Sequence, residues 1–211
     1  MTRLSGSALS SNGKGRLLHW GVNYGLRSQD QAGDFMFRFW PENHTGEKIA
    51  VSFESGGQVV RRQSIGLEGA MNFGSLSIQG EYKHFRIKTD ELNFDMHGYY
   101  VFAGFFLTGE YRPYKNGAFG RVIPNKSIDE GGWGALEVLA RFSVMDAEQA
   151  PTTFYSMETN GRICDATLGM NWYLTSHVRL MYNFVHADIG FRSPWSDFDA
   201  NGHTVRVQVD F

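Results

Sequence analysis

Three observations predict an all-β protein, an antiparallel transmembrane β-barrel. Several segments alternate strictly between apolar and polar side chains, which is the pattern of a half-buried strand. Aromatic residues lie near the ends of the apolar faces, as in the girdles that border the lipid-facing band of such barrels. The 211-residue chain also ends on Phe211, at the parity of the apolar face of its last segment.

The composition suits strands that are apolar on one face and polar on the other. Aromatic residues make up 15% of the chain, yet its mean hydropathy is only −0.33. The longest apolar run, residues 99–107, is too short for a transmembrane helix, which needs about twenty residues. A net charge of −2 gives no reason to expect a nucleic-acid partner.

Two regions are expected along the chain. Residues 1–14 form a polar leader rich in Ser and Gly, without the apolar core of a secretory signal. Residues 15–211 form one partial barrel domain. Cys164 is the single cysteine of the sequence, so an intrachain disulfide is excluded, and we interpret it as a small apolar residue at the start of a strand.

The alternating segments predict eight to ten strands. In residues 165–174, for example, Leu168, Met170 and Trp172 share one face, while Thr167 and Asn171 share the other. The predicted strands are 17–27, 64–73, 76–83, 99–107, 136–144, 165–174, 178–184 and 204–211, with short extended stretches at 35–40 and 48–54.

The connections between the predicted strands are of two lengths. Tight turns occur at Gly74-Ser75 and Thr175-Ser176, whereas residues 109–132 and 146–160 are long loops. Outer-membrane barrels have short periplasmic turns and long external loops. We therefore expect both long loops at the external end.

Several stretches resemble the phosphate-selective porin O and P family. They are LTGEYRPYK at 107–115, GAFGRV at 117–122, GGWGALE at 131–137, LGMNWYL at 168–174, VRLMYN at 178–183 and the terminal QVDF. The resemblance runs in order from about residue 15 to residue 211. It implies a porin of the bacterial outer membrane, a barrel of about sixteen strands that assembles as a homotrimer and passes inorganic anions such as phosphate or polyphosphate.

With eight to ten strands, the chain looks like the C-terminal half of such a porin. The absence of a signal sequence then has a simple explanation, because the segment that would carry it is absent. An independent closure of eight to ten strands remains an alternative, although a barrel of about eight strands fills its interior with side chains.

Anion selectivity requires fixed positive charge where a channel narrows, and the arginine fork suits phosphate. In anion-selective members of the family we expect an arginine-rich segment before a Pro-Glu pair, and in the matching residues 35–42 only Arg38 remains. Parity assigns further inward cations: Arg61, Arg62, Lys83, Arg141, Arg179 and Arg206. Each could instead be a solvated charge that a nearby carboxylate balances, the candidates being Glu68, Glu81, Glu137 and Asp210.

The loop 109–132 carries four further cations that could form a basic funnel for anions. They are Arg112, Lys115, Arg121 and Lys126. The alternative is that they keep the loop soluble and contact outer-membrane lipid, including the phosphates of lipopolysaccharide.

The sequence offers no recognisable catalytic or metal-binding motif. The seven histidines have neither H-x-H nor H-E-x-x-H spacing, and G-x-S-x-G is absent, so no enzyme, metal or cofactor is expected. Three other readings stay open. They are a small barrel that binds an apolar ligand through Phe102 and Phe106, an outer-membrane protein without a pore, and an enzyme with Ser or Asp and His contributed by distant strands.

Overall fold

A computed structural model describes residues 1–8, 16–28, 35–39, 49–53, 59–89, 93–115, 117–147, 162–190 and 198–210. Within these ranges the chain is mostly β-structure, with one short 3-10 helix at Ile128–Glu130. The strands are β1 (Thr2–Ala8), β2 (Arg16–Ser28), β3 (Phe35–Phe39), β4 (Ile49–Phe53), β5 (Val59–Phe73), β6 (Leu76–Thr89), β7 (Asn93–Phe106), β8 (Tyr114–Lys115), β9 (Ala118–Phe119), β10 (Ala135–Asp146), β11 (Arg162–Tyr173), β12 (Val178–Ile189) and β13 (Phe198–Val209). No helix among the described residues is long and apolar enough to cross a membrane.

Nine strands form one antiparallel sheet, in the order β1-β2-β5-β6-β7-β10-β11-β12-β13. This confirms the prediction of an all-β antiparallel fold. The remaining strands form two small hairpins, β3 with β4 and β8 with β9. In the part of the chain that the structure describes, β1 and β13 are the edges of the large sheet.

Strand β1 lies inside the segment that was expected to be a polar leader. It pairs with β2 from Thr2 opposite Tyr24 to Ala8 opposite Leu18. The expectation that residues 17–27 form the first strand is therefore wrong. The alternation rule misses β1 because this strand is held by the backbone edge of β2 and has few apolar side chains of its own.

The two faces of the large sheet differ in polarity. Large apolar side chains such as Trp20, Leu67, Val101 and Val207 are exposed on one face, which we call the outer face. Polar side chains are buried on the opposite, inner face, and they include His19, Asn23, Ser77, Glu137 and Asn171. This is the reverse of a water-soluble sheet and matches strands with lipid on their outer side.

The two ends of the sheet differ in their connections. The Gly74-Ser75 turn and residues 174–177 lie at one end, which we call the turn end, and the opposite end is the loop end. Phe105 pairs with Leu76, and Ala135 pairs with Tyr173. The long connection of residues 107–134, which we call the inner loop, therefore begins and ends at the turn end.

Strand β10 ends at Asp146, at the opposite end of the sheet from the inner loop, so the expectation that both predicted long loops start at one end is wrong; residues 148–160 lie outside the described residues. Adjacent strands are antiparallel, so successive connections switch ends, and the connection after β10 lies opposite the connection after β7. The order of strands decides the end at which a connection lies. Loop length alone was therefore an unreliable guide.

The inner loop is ordered and tied to the sheet. Its backbone bonds link Leu107 N to Leu136 O at 2.8 Å and Ile128 N to Leu174 O at 3.0 Å. Val122 of the loop packs in a buried cluster with Phe106, Ala135 and Tyr173. The loop is consequently folded against the sheet.

Gly134 is the position where the inner loop passes closest to the sheet. Its φ is 71°, and an added Cβ would lie 2.2 Å from the carbonyl oxygen of Tyr173. Gly131 has a similar φ of 75°, but nothing lies within 4 Å of its added Cβ. We expect Gly131→Ala to cost about 1 to 2 kcal/mol for the left-handed conformation. Gly134→Ala should cost clearly more, because the backbone of β11 must also move.

This pair of variants separates backbone conformation from steric contact. The free energy of unfolding is measured by urea titration of detergent-refolded protein, followed by tryptophan fluorescence. Equal losses for the two variants would contradict the close packing of the inner loop on β11.

Candidate functional site

The inner loop runs across the inner face of the sheet. Three contacts fix its path between residues 112 and 114. The Arg112 side chain reaches Glu137 on β10, the Arg112 carbonyl accepts a bond from Asn72 on β5 at 2.6 Å, and the Tyr114 hydroxyl meets His19 on β2. Strands β2, β5 and β10 are second, third and sixth in the sheet. This segment of the loop therefore crosses the inner face from β10 to β2.

Arg112 and Glu137 form a buried two-pronged ion pair. Arg112 Nε donates to Glu137 Oε1 and Arg112 Nη2 donates to Glu137 Oε2, both at 2.9 Å. The Glu137 side chain is 0% exposed and also accepts bonds from Asn171 Nδ2 at 2.9 Å and the Tyr173 hydroxyl at 3.0 Å. The guanidinium lies 5.0 Å from the ring centre of Phe102. One carboxylate thus collects four donors from the inner loop and from β11.

A second contact holds the inner loop against β2. The Tyr114 oxygen lies 2.7 Å from His19 Nδ1, and His19 Nε2 lies 3.1 Å from Glu68 Oε1. An imidazole with its proton on Nε2 satisfies both partners, since it donates to the carboxylate and accepts from the hydroxyl. Burial raises the pKa of the Tyr114 hydroxyl, which favours its role as donor. Arg3 of β1 completes this network through Glu68.

Glu110 links the start of the inner loop to its middle. It is almost fully buried, accepts a bond from the Thr108 hydroxyl, and accepts another from the Asn125 backbone N–H at 3.0 Å. The Thr108 hydroxyl oxygen in turn accepts from Leu136 N at 2.9 Å. These bonds therefore connect the first residues of the inner loop to Asn125 in its middle and to Leu136 on β10.

Three predicted cations lie on the inner face of β10, β12 and β13. Arg141 lies 4.1 Å above the ring of Tyr100, and Arg179 donates to Gln208 Oε1 at 2.7 Å. Arg206 is exposed and lies opposite Met181, diagonal to Arg179. Within the described ranges, no carboxylate forms a direct ion pair with Arg179 or Arg206.

Two further predicted cations, Arg62 and Lys83, lie on the inner face nearer the loop end. Arg62 is opposite the buried Ile87, which fixes its face. Arg61, the next residue, pairs with Lys88 and must lie on the outer face. Its assignment to the interior is wrong, because neighbouring residues of a strand point to opposite faces.

Arg38 lies apart from the other predicted cations. It belongs to the separate β3–β4 hairpin, opposite Ala50. Within the inner loop, Lys115, Arg121 and Lys126 are exposed, and Arg121 Nη1 lies 3.1 Å from His177 Nδ1.

Arg112 differs from the other three cations of the expected funnel because Glu137 neutralises it. We therefore describe it as an anchor of the inner loop.

Sequence reasoning missed two cations of the inner face, Arg3 on β1 and Arg27 on β2. Arg27 lies directly opposite Arg62, so two arginines face each other near the loop end. The signal was present, since Arg27 continues the polar parity of His19, Asn23 and Gly25. The contacts of Arg112 with Glu137 and of Tyr114 with His19 carried no comparable signal, because Arg112 and Tyr114 belong to the inner loop.

The buried ion pair makes the position of the inner loop testable. Arg112→Gln removes the charge that compensates Glu137, and breaking a buried pair in this way costs about 3 to 5 kcal/mol. We expect the inner loop to open and trypsin to cut faster after Lys115 and Arg121 in the folded, detergent-solubilised chain. Digestion is followed by mass spectrometry.

Arg112→Lys is the matched variant that retains charge but loses the fork, and it should give intermediate cleavage. Unchanged cleavage in Arg112→Gln would contradict the anchoring role.

Comparison with known proteins identifies the family. The model of the family described as "Phosphate-selective porin O and P" matches residues 4–211. Porin O of Pseudomonas aeruginosa is 30% identical over 221 aligned residues, covering 93% of this chain and 50% of that protein. An uncharacterized protein of Caulobacter vibrioides is 30% identical over 119 residues, covering 54% of this chain and 23% of that protein.

The chain thus spans about half the length of Porin O. The match nevertheless includes nearly the whole chain, from β1 to the last strand. The chain belongs to the phosphate-selective porin O and P family.

Proposed function

We propose that this chain forms part of an outer-membrane porin that passes inorganic anions, such as phosphate or polyphosphate, by passive diffusion. The observation that carries the proposal is an excess of positive charge on the inner face. The described strands place seven cations there: Arg3, Arg27, Arg62, Lys83, Arg141, Arg179 and Arg206. They place four carboxylates there: Glu68, Glu81, Glu137 and Asp165. Asp210 follows β13 at the same parity, and the inner loop adds Arg112 and Glu110, so eight cations stand against six carboxylates.

Ion pairing does not alter this balance. Arg3 pairs with Glu68 and Arg112 with Glu137, and each pair takes one charge of either sign. A polar interior with net positive charge attracts anions and repels cations. The arrangement therefore favours anion passage.

Several of the strand cations follow one another along the inner face. Arg27 and Arg62 lie near the loop end, Arg141 lies midway along β10, and Arg179 and Arg206 lie near the turn end. Such a series gives an anion several weak sites in succession, which permits both entry and release. The inner loop, folded over the same face, would form the constriction.

The membrane orientation follows from the connections. Short turns face the periplasm in barrels of this kind, so the loop end would face outward and the inner loop would enter from the periplasmic end. Contact of Lys115, Arg121 or Lys126 with lipopolysaccharide does not fit this orientation. The funnel would then lie on the periplasmic side, and loop solubility stays as its alternative.

The directions of the two edge strands decide whether an odd or an even number of further strands would close the barrel. Eight antiparallel steps separate β1 from β13, so the two edges run the same way. Bacterial barrels have even numbers of antiparallel strands, so closure needs an odd number of additional strands. This agrees with a larger porin barrel of about sixteen strands, and the family resemblance extends the proposal to a homotrimer.

The competing readings have less support. Phe106 is buried against Val122 and Tyr173, and Phe102 lies beneath the Arg112 guanidinium, so the inner loop occupies the expected apolar ligand site. Membership of a porin family favours a channel over an enzyme. A membrane protein without a pore remains the alternative that conductance decides.

The test is ion selectivity in planar bilayers. Reversal potentials across a KCl gradient report the ratio of anion to cation permeability, and we expect chloride to be preferred. The double variant Arg179→Gln, Arg206→Gln should lower that ratio several-fold, because two fixed charges leave the path.

The matched control is Arg16→Gln, which removes an exposed cation from the outer face and should leave the ratio unchanged. Cation preference, or equal effects of the two variants, would contradict the proposed path. Absence of any conductance would favour the reading without a pore.

A further inference from the structure

Three cations cluster on the outer face at the loop end of β5 and β6. Arg61 lies directly opposite Lys88, and Arg86 lies two residues from Lys88 on the same strand, opposite Gln63. All three are exposed, and the Arg86 side chain is 61% exposed. We call these residues the outer basic patch. None of them belongs to the inner face that carries the proposed anion path.

The outer basic patch has more positive charge than its described neighbours neutralise. Arg86 donates to both oxygens of Asp95, at 2.9 and 3.0 Å, and His84 Nε2 lies 3.8 Å from the same carboxylate. Among the described residues, no carboxylate pairs with Arg61 or Lys88. Like charges directly opposite each other destabilise a sheet, so this pair is costly without a bound anion.

The position of the patch indicates where that anion would come from. On β5, Gln63 is the next outer-face residue toward the turn end, and the large side chains that follow on that face, Ile65, Leu67, Met71 and Phe73, are exposed and apolar. The patch therefore lies just beyond the apolar band, at the level where the lipid headgroups of a membrane begin. Cations beside a membrane are attracted to anionic headgroups by about 1 kcal/mol each.

We propose that the outer basic patch binds the headgroup phosphates of a lipopolysaccharide molecule in the outer leaflet. The inference rests on the proposed function for the membrane and for the outward direction of the loop end. Side chains of directly opposed residues start about 5 Å apart, so Arg61 and Lys88 can hold one phosphate between them. The arginine fork supplies two parallel bonds and the lysine ammonium a third donor.

Binding is measured with the full 211-residue chain in detergent micelles, titrated with purified lipopolysaccharide. The double variant Arg61→Gln, Lys88→Gln should bind about thirtyfold more weakly, the loss expected for two cations at an anionic lipid surface. Exchange of the two residues, Arg61→Lys with Lys88→Arg, keeps both charges and should restore binding. Lipopolysaccharide stripped of its phosphates should bind the unaltered chain no better than it binds the double variant.

Arg27→Gln with Arg62→Gln is the matched control. It removes two directly opposed arginines from the inner face at the same end of the sheet. It should leave lipopolysaccharide binding unchanged while lowering anion selectivity. The two readouts separate the proposals, since loss of selectivity concerns the channel and loss of lipid binding concerns the patch.

Two results would overturn the inference. Equal weakening by the inner-face control would mean that total charge, and not the patch, attracts the lipid. Unchanged binding in Arg61→Gln, Lys88→Gln would mean that the patch is neutralised within the chain, for example by Asp90 and Glu91, which follow β6 in the sequence and lie outside the described residues.

Discussion

The buried carboxylate of Glu137 ties the inner loop to β10. A charge with no solvent exposure is costly unless it is paired and fully hydrogen-bonded, and Arg112, Asn171 and Tyr173 together meet that requirement. Arg112 comes from the inner loop, whereas the other two donors come from β11. The hydrogen bonds of this one carboxylate therefore hold the loop against the sheet. Tyr114 then reaches His19, and the loop spans the inner face.

The placement of polar and charged side chains follows from which face of the sheet meets lipid. An outer face of exposed apolar side chains suits lipid, and lipid in turn requires every backbone group to be paired within the sheet. Charges are therefore confined to the inner face and to the rim beyond the apolar band. The inner face serves the proposed anion path, and the rim carries the outer basic patch. Both follow from side-chain alternation along β5 and β6, where Arg61 and Arg62 point to opposite sides.

Sequence periodicity predicted most of the sheet, because residues alternate between apolar and polar where one face of a strand meets lipid. The predicted strand 165–174 corresponds to β11, and the predicted parity correctly turned Glu137 and Arg179 inward. Periodicity missed β1, in which backbone pairing outweighs side-chain pattern. It also could not pair Arg112 with Glu137, because an ion pair between a loop and a strand 25 residues apart leaves no periodic trace.

The most direct test of the account is whether the inner loop crosses the inner face. Cysteines replace His19 and Tyr114 in a Cys164→Ser background, and the chain refolded in lipid is treated with a bismaleimide. An intrachain cross-link between positions 19 and 114, identified by mass spectrometry, is the predicted result. A cysteine at Leu18, one residue away on the outer face, should not cross-link to position 114. Equal cross-linking of both pairs, or of neither, would contradict the crossing of the inner loop.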